Sequence, residues 1–190
     1  MRDPFYTTFL NAVQDSPVIA AVKSDEDLRH AMTSDCAAIF FLYGTIIDIK
    51  DKVKIAKDGG KFALVHVDLV EGLSNRDISV EFLASNTAAD GIISTRPSMI
   101  RKAKELKLIA IQRFFLLDSI AYDNVVHQSC NADIIDVLPG ALPRVLERLT
   151  QSIRQPIIAS GLLSDKQDVF AALGAGAIAV STTSEALWFM

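Results

Sequence analysis

Cysteine is scarce, with two in 190 residues, Cys36 and Cys130. Two thiols give neither a disulfide framework nor a metal-ligand spacing, and are expected to be small buried residues in a reducing cytosol, with no metal site. Basic charge is also short, 19 Lys and Arg against 23 Asp and Glu, for a net of −4 and a pI near 5.3. A nucleic-acid binder normally carries a basic excess, so any contact with RNA has to come from a local patch. No apolar run approaches the ~20 residues that span a bilayer. The opening MRDPFYTTFLNAVQDSP is broken by Thr7, Thr8, Asn11 and Gln14, unlike the core of a signal peptide. A cytoplasmic chain with no membrane contact is expected. Linkers and low-complexity tracts are missing too, so residues 1–190 are expected to form a single domain.

What the chain has is apolar substance: 50% hydrophobic residues, 22% charged and a mean hydropathy of +0.28. That excludes disorder, and a domain of this length buries roughly 70% of its extended surface.

Short runs rich in Ile, Val, Phe and Ala recur along the sequence: 17–22, 37–43, 62–70, 91–95, 108–115, 134–139, 156–161 and 177–182. Near-continuous hydrophobicity without strict alternation marks parallel strands covered on both faces. Amphipathic stretches separate them. One starts at Ser24 with acids in its first turn, another stops at Gly59-Gly60, and the last begins at Ser164 and ends on Gly174 and Gly176. The connection over 119–131 is weakly helical, and 184–190 has room for one or two turns. Eight strands alternating with helices predict an α/β fold, a compact (β/α)8 TIM barrel. About 24 residues per unit, against ~250 for a typical whole barrel, require short loops and stunted helices. The alternative, an open doubly wound sheet, more often has five or six strands.

Ligands of such barrels bind at the carboxyl ends of the strands, where this sequence becomes polar. Lys23 ends the first run, His66 and Asp68 lie in the third, Arg96 follows the fourth, and Arg113 lies in the fifth. Period-two parity puts His66 and Asp68 on one face, Arg113 with Ile109 and Ile111, and Ser94 and Arg96 with Ile92. Outward charges would press on the helix ring, so all of these are expected in the barrel mouth. They can form a ligand site or a set of salt bridges that merely closes the barrel.

Ala159-Ser160-Gly161 ends the seventh run and Val180-Ser181-Thr182-Thr183-Ser184 the eighth, ahead of a short helix. Loops after these two strands form the recurrent barrel phosphate site. Gly161 permits close backbone approach, the amides near Ser181 to Ser184 can face an anion, and Gly140 is placed on the same side. Ordinary helix capping is the other use of these hydroxyls. A lysine row places Lys50, Lys54 and Lys57 along one helix face, and Arg101 lies in a second basic helix. These are either solvated faces or a cationic stripe for RNA phosphates. Tyr43 and Phe114-Phe115 are stacking or core residues. The end Trp188-Phe189-Met190 is expected to be exposed, an apolar contact that fits a homodimer.

HVDLVEGL (66–73), GIISTR (91–96), QRFFLLDS (112–119), DVLPG (136–140), ASGLL (159–163) and VSTTSEALW (180–188), taken in order, resemble the glycerol uptake operon antiterminator family over nearly the whole chain. The resemblance implies a cytosolic regulator that senses glycerol-3-phosphate and acts on the leader mRNA of glycerol-utilisation transcripts. The resemblance implies a protein that is not an enzyme and needs no cofactor. The resemblance also implies that Gly161, Ser181 and Thr182 hold the phosphate. Lys23, His66, Asp68, Arg96 and Arg113 then lie near the glycerol end or shape the mouth. Two other functions fit the same inventory. One is a phosphosugar enzyme with His66 and Asp68 as an acid–base pair and Lys23 or Arg113 as electrophile; the other is a degenerate barrel that only binds.

Overall fold

The computed structural model describes residues 4–190. Its strands are β1 (Val18–Val22), β2 (Ala38–Phe41), β3 (Phe62–His66), β4 (Gly91–Ser94), β5 (Ile109–Phe115), β6 (Ile134–Leu138), β7 (Ile157–Ser160) and β8 (Ala179–Thr182). They pair in sequence order, all parallel, and close into a barrel. Closure is made by β1 against β8, with Val18 opposite Val180, Ile19 opposite Ser181 and Ala20 opposite Thr182. That pairing confirms the compact (β/α)8 barrel and removes the open sheet.

The helices are α1 (Pro4–Asp15), α2 (Asp25–Thr33), α3 (Ile49–Asp58), α4 (Asp77–Asn86), α5 (Pro97–Glu105), α6 (Ser119–Gln128), α7 (Pro143–Ser152) and α8 (Lys166–Gly174). Economy of length comes from short elements: β2 has four residues, β5 seven, α2 nine and α1 twelve. The eighth crossover shrinks to a 3-10 turn, Glu185–Leu187.

Alternation decides the layers. Ile19, Phe40, Leu64, Ile93, Ile111, Ile134, Ile158 and Ala179 fill the lumen. Ala20, Ile39, Val65, Ile92, Ile135, Ala159 and Val180 face outward onto the helices. Two-sided burial is why the strands read as unbroken apolar runs. Gly91 is dictated by the crowded lumen, since a Cβ there would stand 2.3 Å from the Ile109 carbonyl oxygen and 2.8 Å from Leu64 Cδ1.

Sequence reading assigned no element to the opening segment, yet α1 closes the amino-terminal end of the barrel. Phe9 and Val13, four apart on one helix face, join the lumen cluster, and the Phe9 ring meets Phe62 edge-on at 5.2 Å.

Helix starts follow local chemistry. Ser24 Oγ accepts from the Asp27 amide at 3.1 Å while the Lys23 amide donates to Asp27 Oδ2 at 2.7 Å, a reciprocal cap that fixes the β1–α2 turn. For α8 the cap is Asp165 rather than Ser164: Asp165 Oδ1 accepts from the Asp168 amide at 3.0 Å.

The carboxyl end departs from expectation. Trp188 is buried, and its indole N–H donates to the Thr182 carbonyl at 2.9 Å. Only Phe189 and Met190 are exposed, so the apolar end is packed onto its own barrel. Cys36 is buried as expected, whereas Cys130 is exposed. No helix among the described residues is long and apolar enough to cross a membrane.

Candidate ligand site at the barrel mouth

Two residues beyond an inward apolar side chain, period-two alternation brings a polar one inward at the carboxyl end of five strands. His66 follows Leu64, Arg113 follows Ile111, Asp136 follows Ile134, Ser160 follows Ile158 and Ser181 follows Ala179. All five are buried, Asp136 completely. Arg113 Nε donates to Asp136 Oδ2 at 2.5 Å, and the Ser160 hydroxyl donates to the other carboxylate oxygen. Asp136 is therefore satisfied from both sides, as a buried carboxylate must be. Arg113 is not: among the described residues Asp136 is its one ion-pair partner, met through Nε, which leaves the guanidinium with donors to spare.

His66 is the second half-satisfied group. Its Nδ1 is buried with no hydrogen-bond partner. Burial first, then the Arg113 cation, push its pKa down to about 4, against the opposing pull of Asp68 and Asp136. The imidazole is neutral at neutral pH, and its Nδ1 is a buried nitrogen left without a hydrogen bond. The site thus combines a buried cation with spare donors and a buried neutral ring with a spare acceptor or donor. A small ligand bearing an anionic group and hydroxyls matches that set.

The loop after β7 turns on two consecutive left-handed residues, Gly161 (φ +74°) and Leu162 (φ +57°). A branched side chain in that region is strained, and Leu162 is also 75% exposed, so packing does not account for it. Gly140 is on this side of the mouth, as expected, but its amide does not face the opening. It donates to the carbonyls of Ser160 at 2.6 Å and Gly161 at 3.0 Å. A Cβ at Gly140 would lie 2.8 Å from the Ser160 nitrogen. Gly140 therefore sets the position of the β7 loop. Thr182 also departs from expectation. It lies on the outward face with Val180, and its hydroxyl accepts from the Ser184 amide at 3.1 Å, so its side chain serves the turn. Ser181 faces the lumen opposite Ser160.

The remaining mouth residues separate. Asp68, just beyond β3, accepts from the Ser94 hydroxyl at 3.0 Å, the Thr95 amide at 2.8 Å and the Thr95 hydroxyl at 3.0 Å. It ties the β4–α5 loop to β3 and stands 4.0 Å from His66 Nδ1, outside hydrogen-bond reach. Ser94, expected inward, faces the helix layer and touches Met99, because Ile93 is the inward residue of β4. Arg96 is exposed on the rim, its Nε 3.9 Å from Asp68. Lys23 is exposed beside the α2 cap.

The cation stripe is partly neutralised. Lys57 grips both Asp90 oxygens at 2.8 and 2.7 Å, and Lys54 pairs with Asp58. Lys50 and Arg101 are exposed and make no ion pair among the described residues. Tyr43 is no stacking platform, since its hydroxyl donates to Asp25 at 2.9 Å and Lys52 lies over its ring. Phe114 packs on the outer core, while Phe115 is half exposed.

Sequence reasoning passed over Asp136 and Ser160 as site residues. The signal was there: Ile134-x-Asp136 and Ile158-x-Ser160 repeat the parity that gives Arg113.

Three clefts lie away from the β7 and β8 loops. One of about 400 Å³ runs between Leu117, Tyr122, Leu142 and Arg148. Clefts of about 490 and 300 Å³ meet at Arg154 and Gln155, at the end closed by α1.

The family described as "Glycerol-3-phosphate responsive antiterminator" matches residues 18–188. The uncharacterized Escherichia coli protein YgcP is 45% identical over 181 residues, spanning 94% of this chain and 95% of its own. The crystal structure of the glycerol uptake operon antiterminator regulatory protein of Listeria monocytogenes superposes with a TM-score of 0.88 at 39% identity, covering 92% of this chain and 95% of that one. A glycerol uptake operon antiterminator-related protein from Thermotoga maritima gives 0.79 at 31% identity, with coverage of 91% and 98%.

Proposed function

The chain belongs to the glycerol-3-phosphate responsive antiterminator family, and from that premise we propose that it is a regulator that binds glycerol-3-phosphate in the barrel mouth and then acts on leader mRNA. The phosphate sits against the Gly161–Leu162 turn and Ser181, with the backbone at Thr182 beside it and Gly140 holding the turn in place. The glycerol end reaches His66 Nδ1 and the open side of Arg113, with Lys23, Asp68 and Arg96 around the rim. No cofactor takes part. The observation that carries this reading is the pairing of a buried, half-satisfied Arg113 with an unpartnered buried His66, groups that a ligand's oxygens complete.

Ligand occupancy orders the β7 and β8 loops, and the ordered rim favours unpaired leader RNA over the terminator hairpin, so transcription continues. Differential affinity for the ordered state limits the effect, and about 1–3 kcal/mol of coupling is usual. Of the stripe, Lys50 and Arg101 are the exposed unpaired cations available for RNA phosphates, with Lys54 and Lys57 held by carboxylates. Such a regulator works in the cytoplasm. Acid–base chemistry by His66 and Asp68 is the weaker reading, because the carboxylate is engaged by Ser94 and Thr95 and does not reach the ring.

The test is transcription in vitro through a glycerol-operon leader. Read-through past the terminator is expected to rise only when protein and glycerol-3-phosphate are both present. Unchanged termination, or turnover of glycerol-3-phosphate by the protein, would contradict the reading.

A further inference from the structure

The cleft of about 490 Å³ at the amino-terminal end is lined by Phe5, Tyr6, Lys104, Lys107, Asp133 and Arg154, among others. Three cations face one carboxylate in a chain whose overall charge is −4. That carboxylate is already engaged: Asp133 Oδ2 accepts from the Ala110 amide at 3.0 Å and Oδ1 lies 3.5 Å from Lys104 Nζ. Lys107 and Arg154 make no ion pair among the described residues. Phe5, whose ring lies 5.9 Å from that of Phe62, is 41% exposed at the cleft wall.

Lys107 carries the argument. Helix α5 ends in a paired bond pattern, Leu108 amide to Ala103 carbonyl and Lys107 amide to Lys104 carbonyl. The same pattern ends α3, from Lys61 to Ala56 and Gly60 to Lys57, and α8, from Ala177 to Ala172 and Gly176 to Leu173. The residue after such a helix end is left-handed and is usually glycine. It is Gly60 (φ +74°) and Gly176 (φ +98°) in two of the three, but Lys107 (φ +59°) beside the cleft. A lysine there is strained relative to glycine. Attraction to the helix dipole does not explain it, because Lys102 and Lys104 already occupy the last turn.

We infer that this cleft is a ligand-independent anchor for single-stranded RNA, in which Lys107 and Arg154 hold backbone phosphates and the Phe5 ring takes a base. The inference rests on the RNA reading given above but places this contact at the end of the barrel opposite the glycerol-3-phosphate site. Arg101, one turn from Lys104 on α5, extends the cationic path. Phosphates bound by exposed cations and bases on aromatic rings are the general means of gripping unpaired strands.

Filter binding of a leader RNA, with and without glycerol-3-phosphate, tests it on wild type, Lys107→Gly and Arg154→Gln. Both variants are expected to weaken binding several-fold, equally with and without the metabolite, and each to lower the slope of log K against log salt by about 0.7. The factor by which the metabolite strengthens binding should stay that of wild type, and Lys107→Gly should melt no lower than wild type. Wild-type affinity in both variants would overturn the anchor, as would a lower melting temperature for Lys107→Gly or a changed metabolite effect. Absence of RNA binding by wild type itself would remove the RNA reading and the anchor together, an outcome distinct from failure of the variants alone.

Discussion

Arg113 and Asp136 stand opposite each other in the β5–β6 register and meet at 2.5 Å inside the barrel, the one charged pair in the described lumen with both partners almost fully buried. Such a pair offers little net stability but is damaging to break. Asp136→Asn leaves the guanidinium unpaired, and urea unfolding at pH 7 is expected to show a loss of about 3–5 kcal/mol. Arg113→Met combined with Asp136→Leu should lose far less stability and still abolish ligand binding.

His66 links stability to pH. Its folded pKa of about 4 lies below the ordinary 6.5, so between those values the unfolded chain takes up a proton that the folded chain refuses. Stability from this group is complete above pH 6.5 and declines as pH falls toward 4, by up to roughly 3 kcal/mol. Urea midpoints from pH 7 to 4.5 should fall more steeply for wild type than for His66→Asn. Parallel profiles would contradict the burial of a neutral ring.

Gly140 is set by backbone rather than by side chains. A methyl group there meets the Ser160 nitrogen at 2.8 Å and the Ala159 carbonyl carbon at 2.9 Å, neither of which can rotate away. Gly140→Ala is expected to destabilise by about 1–3 kcal/mol in a denaturant melt and to weaken ligand binding by shifting the β7 loop.

Trp188 packs into the outer core beside β8, and its indole N–H donates to the Thr182 carbonyl. Trp188→Ala is expected to cost about 3–5 kcal/mol by chemical denaturation, far beyond the effect of trimming an exposed tail.

Much of this was legible in the sequence because each strand repeats one rule. Runs of β-branched residues announced eight buried parallel strands, and parity brought His66 and Arg113 inward correctly. The same parity applied to Ile92-x-Ser94 gave the wrong face, because nothing local tells a two-faced apolar strand which side is the lumen. Gly140 was recognisable as a loop residue and Thr182 as the end of a strand, but where an amide or hydroxyl is directed depends on the neighbouring strand. Trp188 looked like a loose apolar end because its pocket, near Cys36 and Thr182, is assembled from distant segments. The role of α1 as a plug was hidden for the same reason. The pairing of Lys54 with Asp58 is one turn away and local, whereas that of Lys57 was hidden because Asp90, which holds it, is far away in sequence.

Thermal melting with increasing glycerol-3-phosphate tests the claim of a phosphate-ligand site at the mouth most directly. Wild type should gain stability as RT ln(1 + [L]/Kd), about 2.7 kcal/mol at a hundredfold excess over Kd, and Gly161→Val should lose that gain. A melting temperature that stays flat up to millimolar ligand, or an equal rise in Gly161→Val, would contradict it.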